Sequence, residues 1–173
     1  MDSFGFIHGE LDIKILILYV LRRLPAPVDG QTLYELCCVD TGVGWFDYSD
    51  CLADLAERGL VEELSGERYI ITDKGRTHGE VAETSLPYSV RAKAARLIRP
   101  VAEKLAREAM IGAAHEETDG GVIVSLSLAD GKGELLSLRL LVPDGDIAEG
   151  MEKAFRRDAE GIYQQIVELF AGR

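Results

Sequence analysis

Residues 46–75 read FDYSDCLADLAERGLVEELSGERYIITDKG, and they decide the fold of the N-terminal half. Gly59 occupies the position that follows a helix end. Two short apolar runs, at 60–64 and 68–72, are joined by Ser65-Gly66-Glu67 and predict a β-hairpin. The residues before Gly59 predict a helix with one buried face, because apolar side chains recur there at three- and four-residue spacing: Tyr48, Cys51, Leu52 and Leu55.

The outer face of this predicted helix is acidic. Its carboxylates are Asp47, Asp50, Asp54 and Glu57. A carboxylate in the first turn is favoured by the helix dipole, by about 0.3–1 kcal/mol, and Asp54 or Glu57 can pair with Arg58. These roles explain the carboxylates as ordinary surface residues, but they leave their repulsion toward a polyanion in place.

Two further helices are predicted ahead of this stretch. LDIKILILYVLRRL (11–24) is followed by Pro25, and its length favours a helix over a strand. A helix that is apolar nearly all round is covered on more than one side, so contact with a second domain or subunit is expected. After a turn at 25–31, in which Asp29 is the expected N-cap, QTLYELCCV predicts a short second helix.

The C-terminal half mixes helices and strands. A polar helical turn is predicted at about 73–84. A helix over 87–111 contains Pro100, which removes one backbone donor and predicts a kink or a split there. A long amphipathic helix over 146–171 packs on alternating strands in a small antiparallel layer. The predicted strands are 122–128 and 135–142, with 111–118 as a candidate third.

Two motifs in the N-terminal half carry a resemblance to known regulators. LADLAERGLVEEL resembles the end of a winged third helix as it passes into the first wing strand. RYIITDKGR resembles the wing exit of PadR-like and MarR-like regulators. LDIKILILYVLRRLPAPV and the FDY of the third helix are similar to a bacterial domain-of-unknown-function family, number 4364. That resemblance implies a winged-helix N-terminal half, a C-terminal α/β half and a regulatory role, and it supplies no catalytic residues.

The predicted fold class is therefore α+β. It comprises a winged helix-turn-helix domain at 1–85, a helical connector at 86–112, and an α+β domain for dimerisation or ligand binding at 113–173. The leading functional hypothesis is a DNA-binding transcriptional regulator that acts as a homodimer. The candidate groove readers are Tyr48 and Ser49, and the candidate phosphate contacts are Arg68, Lys74 and Arg76.

The charge distribution favours a second hypothesis. The chain has a net charge of -11 and a pI near 4.7. Residues 1–86 hold seven Lys and Arg against sixteen Asp and Glu, so the half that should touch DNA is the acidic one. Because an acidic surface repels nucleic acid and anionic lipid at long range, the alternative is a winged helix that binds a basic protein partner and no DNA.

Basic residues cluster in the next segment. Residues 87–110 carry six Lys and Arg against two Glu. This helix could help to hold a DNA backbone, or it could pair with the acidic N-terminal half, within the chain or across a dimer. The six are Arg91, Lys93, Arg96, Arg99, Lys104 and Arg107.

Motifs for catalysis, metals and cofactors are not found in the sequence. Cys37, Cys38 and Cys51 lack CxxC spacing and fit small core residues. The turn at 130–133 lacks the P-loop pattern, and no acid–base pair is evident. We therefore expect no enzyme activity, no metal and no cofactor.

The sequence also predicts a location. No basic signal segment is visible at the N-terminus, and the odd number of cysteines favours reduced thiols. The apolar run at 15–21 is short of the roughly 20 residues that a membrane span needs. A cytoplasmic protein without a membrane partner is expected.

Trp45 and Phe46 leave two interpretations open. One ring could pack on the first turn of the third helix as a hydrophobic staple. Alternatively, the pair could form a partly exposed platform for a ligand or partner, because aromatic residues are enriched at binding sites.

Overall fold

The computed structural model describes residue 7, residues 9–39 and residues 43–172. The chain divides into two compact units, unit 1 (Met1–Leu105) and unit 2 (Ala106–Arg173). Within the described ranges there are six α-helices and two three-stranded antiparallel sheets, which is the predicted α+β class. The division into three parts, with a connector at 86–112, stays a prediction.

Unit 1 places three helices ahead of a hairpin. Its helices are α1 (Glu10–Arg22), α2 (Gly30–Cys37), α3 (Trp45–Glu57), α4 (Asp73–Ala82) and the first part of α5 (Tyr88–Ala109). Its strands are β1 (Val28–Asp29), β2 (Val61–Leu64) and β3 (Arg68–Ile71). These helices and the β2–β3 hairpin match the elements predicted for this half from the sequence.

Strand β1 was missed by the sequence analysis, which assigned residues 25–31 to a turn. The sheet order is β1-β3-β2, and Val28 pairs with Tyr69. A strand of two residues is too short for an alternating pattern to reveal it. Asp29 nevertheless caps α2 as predicted, because its Oδ1 accepts from the backbone N–H of Thr32 at 2.8 Å.

Helix α1 is the centre of the unit 1 core. Eight of its 13 residues are buried. It packs against α2, α3 and α4, and the Tyr19 hydroxyl donates to the Arg91 carbonyl at 3.2 Å. The expectation that a second domain or subunit covers α1 is therefore wrong, since helices of the same unit enclose it.

Pro100 does not split α5, which runs continuously from Tyr88 to Ala109. Pro100 is exposed, so the carbonyl left without a donor partner can bond to water. The interruption lies instead in α6 (Gly145–Ala171), at Asp158, whose φ of −149° and ψ of 53° are not helical. The Asp158 carboxylate accepts from the Gly161 N–H at 3.1 Å, as an N-cap does for a new helix.

Unit 2 is one sheet covered by one helix, as predicted. Strands β4 (Ile111–Thr118), β5 (Gly121–Asp130) and β6 (Gly133–Val142) lie in sequential order, and α6 packs on one face. Alternate residues of β5 face that helix, where Val124 and Phe155 are almost fully buried. None of the described helices combines the length and apolar character that a membrane span requires.

Candidate functional site

Two aromatic residues begin the third helix of unit 1. Trp45 is the first helical residue of α3 and Gly44 is the N-cap. Phe46 is 82% exposed and Trp45 is 45% exposed. A staple residue precedes the N-cap, whereas both rings follow it, so neither occupies the staple position, although the Trp45 ring does contact Tyr48 in the first turn of α3. The structure favours the alternative, a partly exposed aromatic surface.

Trp45 is held in place by two tyrosines. The ring centroids of Tyr34 and Trp45 lie 4.8 Å apart with the planes nearly perpendicular, and those of Trp45 and Tyr48 lie 5.8 Å apart. The first pair has the preferred edge-to-face geometry, and both centroid distances lie within the range of favourable aromatic pairs. The Tyr48 hydroxyl donates to the Gly30 carbonyl at 3.1 Å, which links α3 to the start of α2. The indole therefore projects from a rigid base.

A groove of about 410 Å³ opens between α3, the start of α2 and the hairpin; we call it the α3–hairpin groove. Small and apolar residues of α3 form one wall, and the inner face of the hairpin forms the other. The lining residues from the helices are Gly30, Gln31, Trp45, Tyr48, Ser49, Leu52, Ala53 and Ala56, and those from the hairpin are Glu63, Glu67 and Tyr69.

The hairpin wall of the groove is acidic. Glu63 pairs with Tyr69 across β2 and β3, and Glu67 lies in the turn that joins these strands. Among the residues that the structure describes, neither carboxylate has an ion pair or a side-chain hydrogen bond. Partial burial raises the pKa of Tyr69, and the negative charges of Glu63 and Glu67 raise it further. Two unneutralised carboxylates therefore lie beside a tyrosine ring in this groove.

Two residues were predicted to read a DNA groove, and only one of them lies at the protein surface. Ser49 is half-buried and lines the groove. Tyr48 is only 1% exposed, and burial raises the pKa of its hydroxyl. Because the ring is locked in the core by its bond to Gly30 and by the aromatic cluster, Tyr48 cannot reach a base edge. Its assignment as a reader is corrected to a structural role.

The three predicted phosphate contacts lie on two elements, Arg68 on β3 and both Lys74 and Arg76 on α4. Arg68 donates to the Pro27 carbonyl at 2.8 Å and extends from the face of β3 opposite to Tyr69, since neighbouring strand residues alternate. The Lys74 ammonium donates to the Arg58 carbonyl at 2.7 Å, beside the C-terminal end of α3. Arg76 is exposed on α4. All three side chains are solvent-accessible, but none lines the groove.

Other cations of unit 1 are engaged with carboxylates. Lys14 lies 2.9 Å and Arg58 lies 2.8 Å from the Asp54 carboxylate. The pKa of Asp54 is lowered chiefly by the hydrogen bond from Lys14 and next by the hydrogen bond from Arg58. Arg22 contacts Glu83 at 2.6 Å. The expected pairing of Asp54 with Arg58 is confirmed. Lys14, Arg58 and Arg22 thus form ion pairs with carboxylates of the same unit.

Two arginines of the basic helix α5 make contacts close to their own positions in sequence. Arg99 pairs with Glu103 on the same helix at 3.0 Å. Arg91 donates to the Leu86 carbonyl at 3.2 Å. These contacts are local, so neither a role in holding DNA nor pairing across a dimer follows from them.

Among the described residues, the thiols of unit 1 form no comparable site, and neither do the polar groups of unit 2. Burial raises the pKa of the Cys37 thiol and of the Cys51 thiol, which suits the predicted core positions. His115 lies 2.6 Å from Glu152, joining β4 to α6. Over the described ranges, no group of three or more His, Cys, Asp or Glu side chains could hold a metal ion.

The acidic wall was missed by the sequence analysis, which placed the candidate site on α3 and on exposed cations. A signal was present in the hairpin. Val61 and Ile71 are buried, so strand alternation puts Glu63 and Tyr69 on the same inner face. The identity of the facing helix residues depends on tertiary packing, which periodicity does not give.

Comparisons with known proteins place the chain in a family. No curated protein and no solved structure matches it. A family model described as a domain of unknown function (DUF4364) matches residues 13–170 of the 173-residue chain. The match includes residues of both units. The chain belongs to the DUF4364 family.

Proposed function

We propose that unit 1 is a winged helix-turn-helix domain and that the chain is a DNA-binding transcriptional regulator. One observation carries the proposal, namely the order α1, β1, α2, α3 and hairpin, with β3 between β1 and β2. In this interpretation α3 is the reading helix and the hairpin is the wing, in line with the resemblance to PadR-like and MarR-like regulators. Helix-turn-helix proteins place that second helix of the motif in the major groove.

The proposed DNA contacts are Ser49, Arg68, Lys74 and Arg76, without Tyr48. Three cations per chain neutralise few phosphates, so affinity falls with salt at a logarithmic slope of about −2.7 per chain. Exposed Asp47 and Asp50 on α3 repel phosphate and weaken the complex further. We therefore expect weak binding that is detectable only at low salt, with a shallower salt dependence than that of proteins making about 6–10 phosphate contacts.

A homodimer is part of the proposal, and as a regulator of transcription the chain would act in the cytoplasm. Paired half-sites are bound by dimers of helix-turn-helix proteins. Strand β6 lies at an edge of its sheet and exposes Leu140 and Leu141, which supports self-association through unit 2. Sedimentation equilibrium tests this, and a monomer at all concentrations would contradict it.

A mobility-shift assay with random and promoter DNA at low salt tests the regulator proposal. The triple change Arg68→Gln, Lys74→Gln and Arg76→Gln should abolish the shift or flatten its salt dependence. The matched control removes three positive charges from unit 2, by Lys132→Gln, Lys153→Gln and Arg157→Gln, and should leave the shift largely unchanged. No retardation of any duplex at micromolar protein contradicts the proposal.

A second candidate function is a winged helix that binds a basic protein partner. The acidic wall of the groove and the carboxylates of α3 favour it, because they repel phosphate and attract cations. The double change Asp47→Asn and Asp50→Asn separates the two candidates. It should strengthen DNA binding if the chain is a DNA-binding regulator, and it should weaken partner capture if the chain binds a basic protein.

A further inference from the structure

We propose that the α3–hairpin groove is a binding site for an arginine- or lysine-bearing segment of a partner protein. The inference rests on the second candidate function and deepens it, because it names the site and the chemistry of the ligand. A basic side chain is an apolar stem that ends in a cation. The groove offers a surface for each of these two parts.

The stem has an apolar wall to lie on. Leu52, Ala53 and Ala56 follow one another along the side of α3 that faces the groove. The two alanines present only methyl groups, which leaves space between the helix and the hairpin. A volume of about 410 Å³ is ample for one long side chain and part of its backbone.

The cation has an acidic wall to face. No lysine or arginine is among the described residues that line the groove. The carboxylates of Glu63 and Glu67 have no side-chain partners within the described ranges, whereas the Asp54 carboxylate on α3 is paired with Lys14 and Arg58. A guanidinium or ammonium group would supply the missing counter-charge, and a phosphate would meet repulsion at the same place.

Aromatic rings add a second attraction for a cation. Trp45 is 45% exposed, and Tyr34 and Tyr48 support its ring from within the fold. A cation within about 6 Å of an aromatic ring face is attracted to it, and tryptophan is the strongest such partner. This chain already contains one example, because the Arg23 guanidinium carbon lies 3.5 Å from the Tyr19 ring centroid.

The backbone at the turn limits which residues can replace Glu67. Glu67 has a φ of 54°, in the left-handed region that glycine and asparagine adopt more readily than glutamate. It follows Gly66, whose φ is 79°, and the two residues belong to the turn that joins β2 and β3.

The sole tryptophan of the chain makes the experiment direct, because all indole emission comes from the groove. The full chain is titrated with a blocked pentapeptide of glycine, arginine, lysine, arginine and glycine. We expect a saturable change in Trp45 emission. The double change Glu63→Gln and Glu67→Asn should weaken affinity about tenfold, and asparagine tolerates the left-handed backbone.

The matched control is the double change Glu57→Gln and Glu62→Gln, which removes the same charge from exposed positions outside the groove. It should leave affinity almost unchanged. If the Glu63→Gln and Glu67→Asn double variant does not fold, the single variant Glu67→Asn still tests whether loss of a groove carboxylate weakens peptide affinity. Tyr69→Leu, read by the same emission, should weaken affinity by about threefold through the loss of one ring.

Four results would overturn the assignment. The first is an absence of saturable emission change with the peptide. The second is an equal loss of affinity in the control double change, which would indicate general attraction to an acidic chain. The third is a saturable response to duplex DNA with none to the peptide. If Asp47→Asn and Asp50→Asn weaken peptide binding while the groove change does not, the second candidate function stands and the groove assignment fails.

Discussion

Glu63 and Tyr69 face each other across the hairpin of unit 1, on the same side as the buried pair Val61 and Ile71. The inner face of the hairpin therefore changes in polarity along its length. Near α4 it is apolar and closes the core, and toward the turn it is polar and lines the α3–hairpin groove. The same two strands thus stabilise the fold and build the candidate site.

The first prediction concerns the ionisation of Tyr69. Its pKa is raised by partial burial and by the charges of Glu63 and Glu67. Removing both charges, by Glu63→Gln and Glu67→Asn, should lower that pKa toward the ordinary tyrosine value, because the phenolate is then less disfavoured. Carbon NMR of labelled tyrosine rings measures the shift. An unchanged pKa would mean that the carboxylates lie away from the ring in solution.

The second prediction concerns stability in acid. The folded-state pKa of Asp54 is lowered by hydrogen bonds from Lys14 and then Arg58. Its stabilising contribution is therefore present above the unfolded-state pKa and is lost as pH falls through the lower folded-state value. Asp54→Asn should lower the Tm at neutral pH. The difference in Tm between this variant and the native chain should shrink as the pH is lowered. A gap that stays constant with pH would contradict this account.

The third prediction concerns the contact of α4 with the hairpin. A Cβ on Gly75 would lie 2.0 Å from the Leu60 carbonyl oxygen and 2.8 Å from the Ile71 side chain. Gly75→Ala should therefore lower the free energy of unfolding by about 1–3 kcal/mol, as overpacking does. Denaturant titration measures the loss.

Gly79 is the matched control on the same helix. A Cβ there would lie 2.8 Å from the Arg22 Cδ and 3.3 Å from the Leu18 Cβ, both of which are side-chain atoms. Since side-chain atoms can shift more readily than the Leu60 carbonyl, and alanine favours a helix over glycine by roughly 1 kcal/mol, Gly79→Ala should cost less. Equal losses for the two substitutions would show that the close approach of Gly75 to Leu60 is incorrect.

Much of the fold was predictable because local patterns and tertiary packing agree. Cys51 and Leu55 recur at helical spacing and both are buried, and Gly59 follows α3 with a φ of 70°. Asp29 caps α2 in the predicted way. These features depend on contacts between near neighbours in sequence, which the pattern of residue types encodes.

The failures came from contacts between distant segments. Strand β1 exists only because Val28 meets Tyr69, and periodicity cannot detect such a pairing. The site on α3 was assigned from the helix alone, so Tyr48 was predicted to contact DNA bases. In the structure its hydroxyl donates to the carbonyl of Gly30, which belongs to a different helix. The break at Asp158 was missed for a different reason, because its cap is a local bond to the Gly161 N–H, and the sequence analysis did not recognise that aspartate as a capping residue.

The fourth prediction concerns unit 2. Phe155 on α6 is 1% exposed and belongs to the core against the sheet. Phe155→Ala should lower the free energy of unfolding of this unit by about 3–5 kcal/mol, because it removes buried surface and leaves a cavity. Leu169→Ala, at a position that is 77% exposed on the same helix, is the control and should cost little. Hydrogen exchange of the β5 amides reports on unit 2 separately.

The central claim is that the α3–hairpin groove is electronegative, and collisional quenching of Trp45 tests it most directly. Caesium and iodide ions are compared at low ionic strength, each relative to its quenching of free N-acetyltryptophanamide. We predict that caesium quenches Trp45 more effectively than iodide, and that Glu63→Gln with Glu67→Asn reduces this preference far more than Glu57→Gln with Glu62→Gln. Iodide quenching that equals or exceeds caesium quenching in the native chain would contradict the claim.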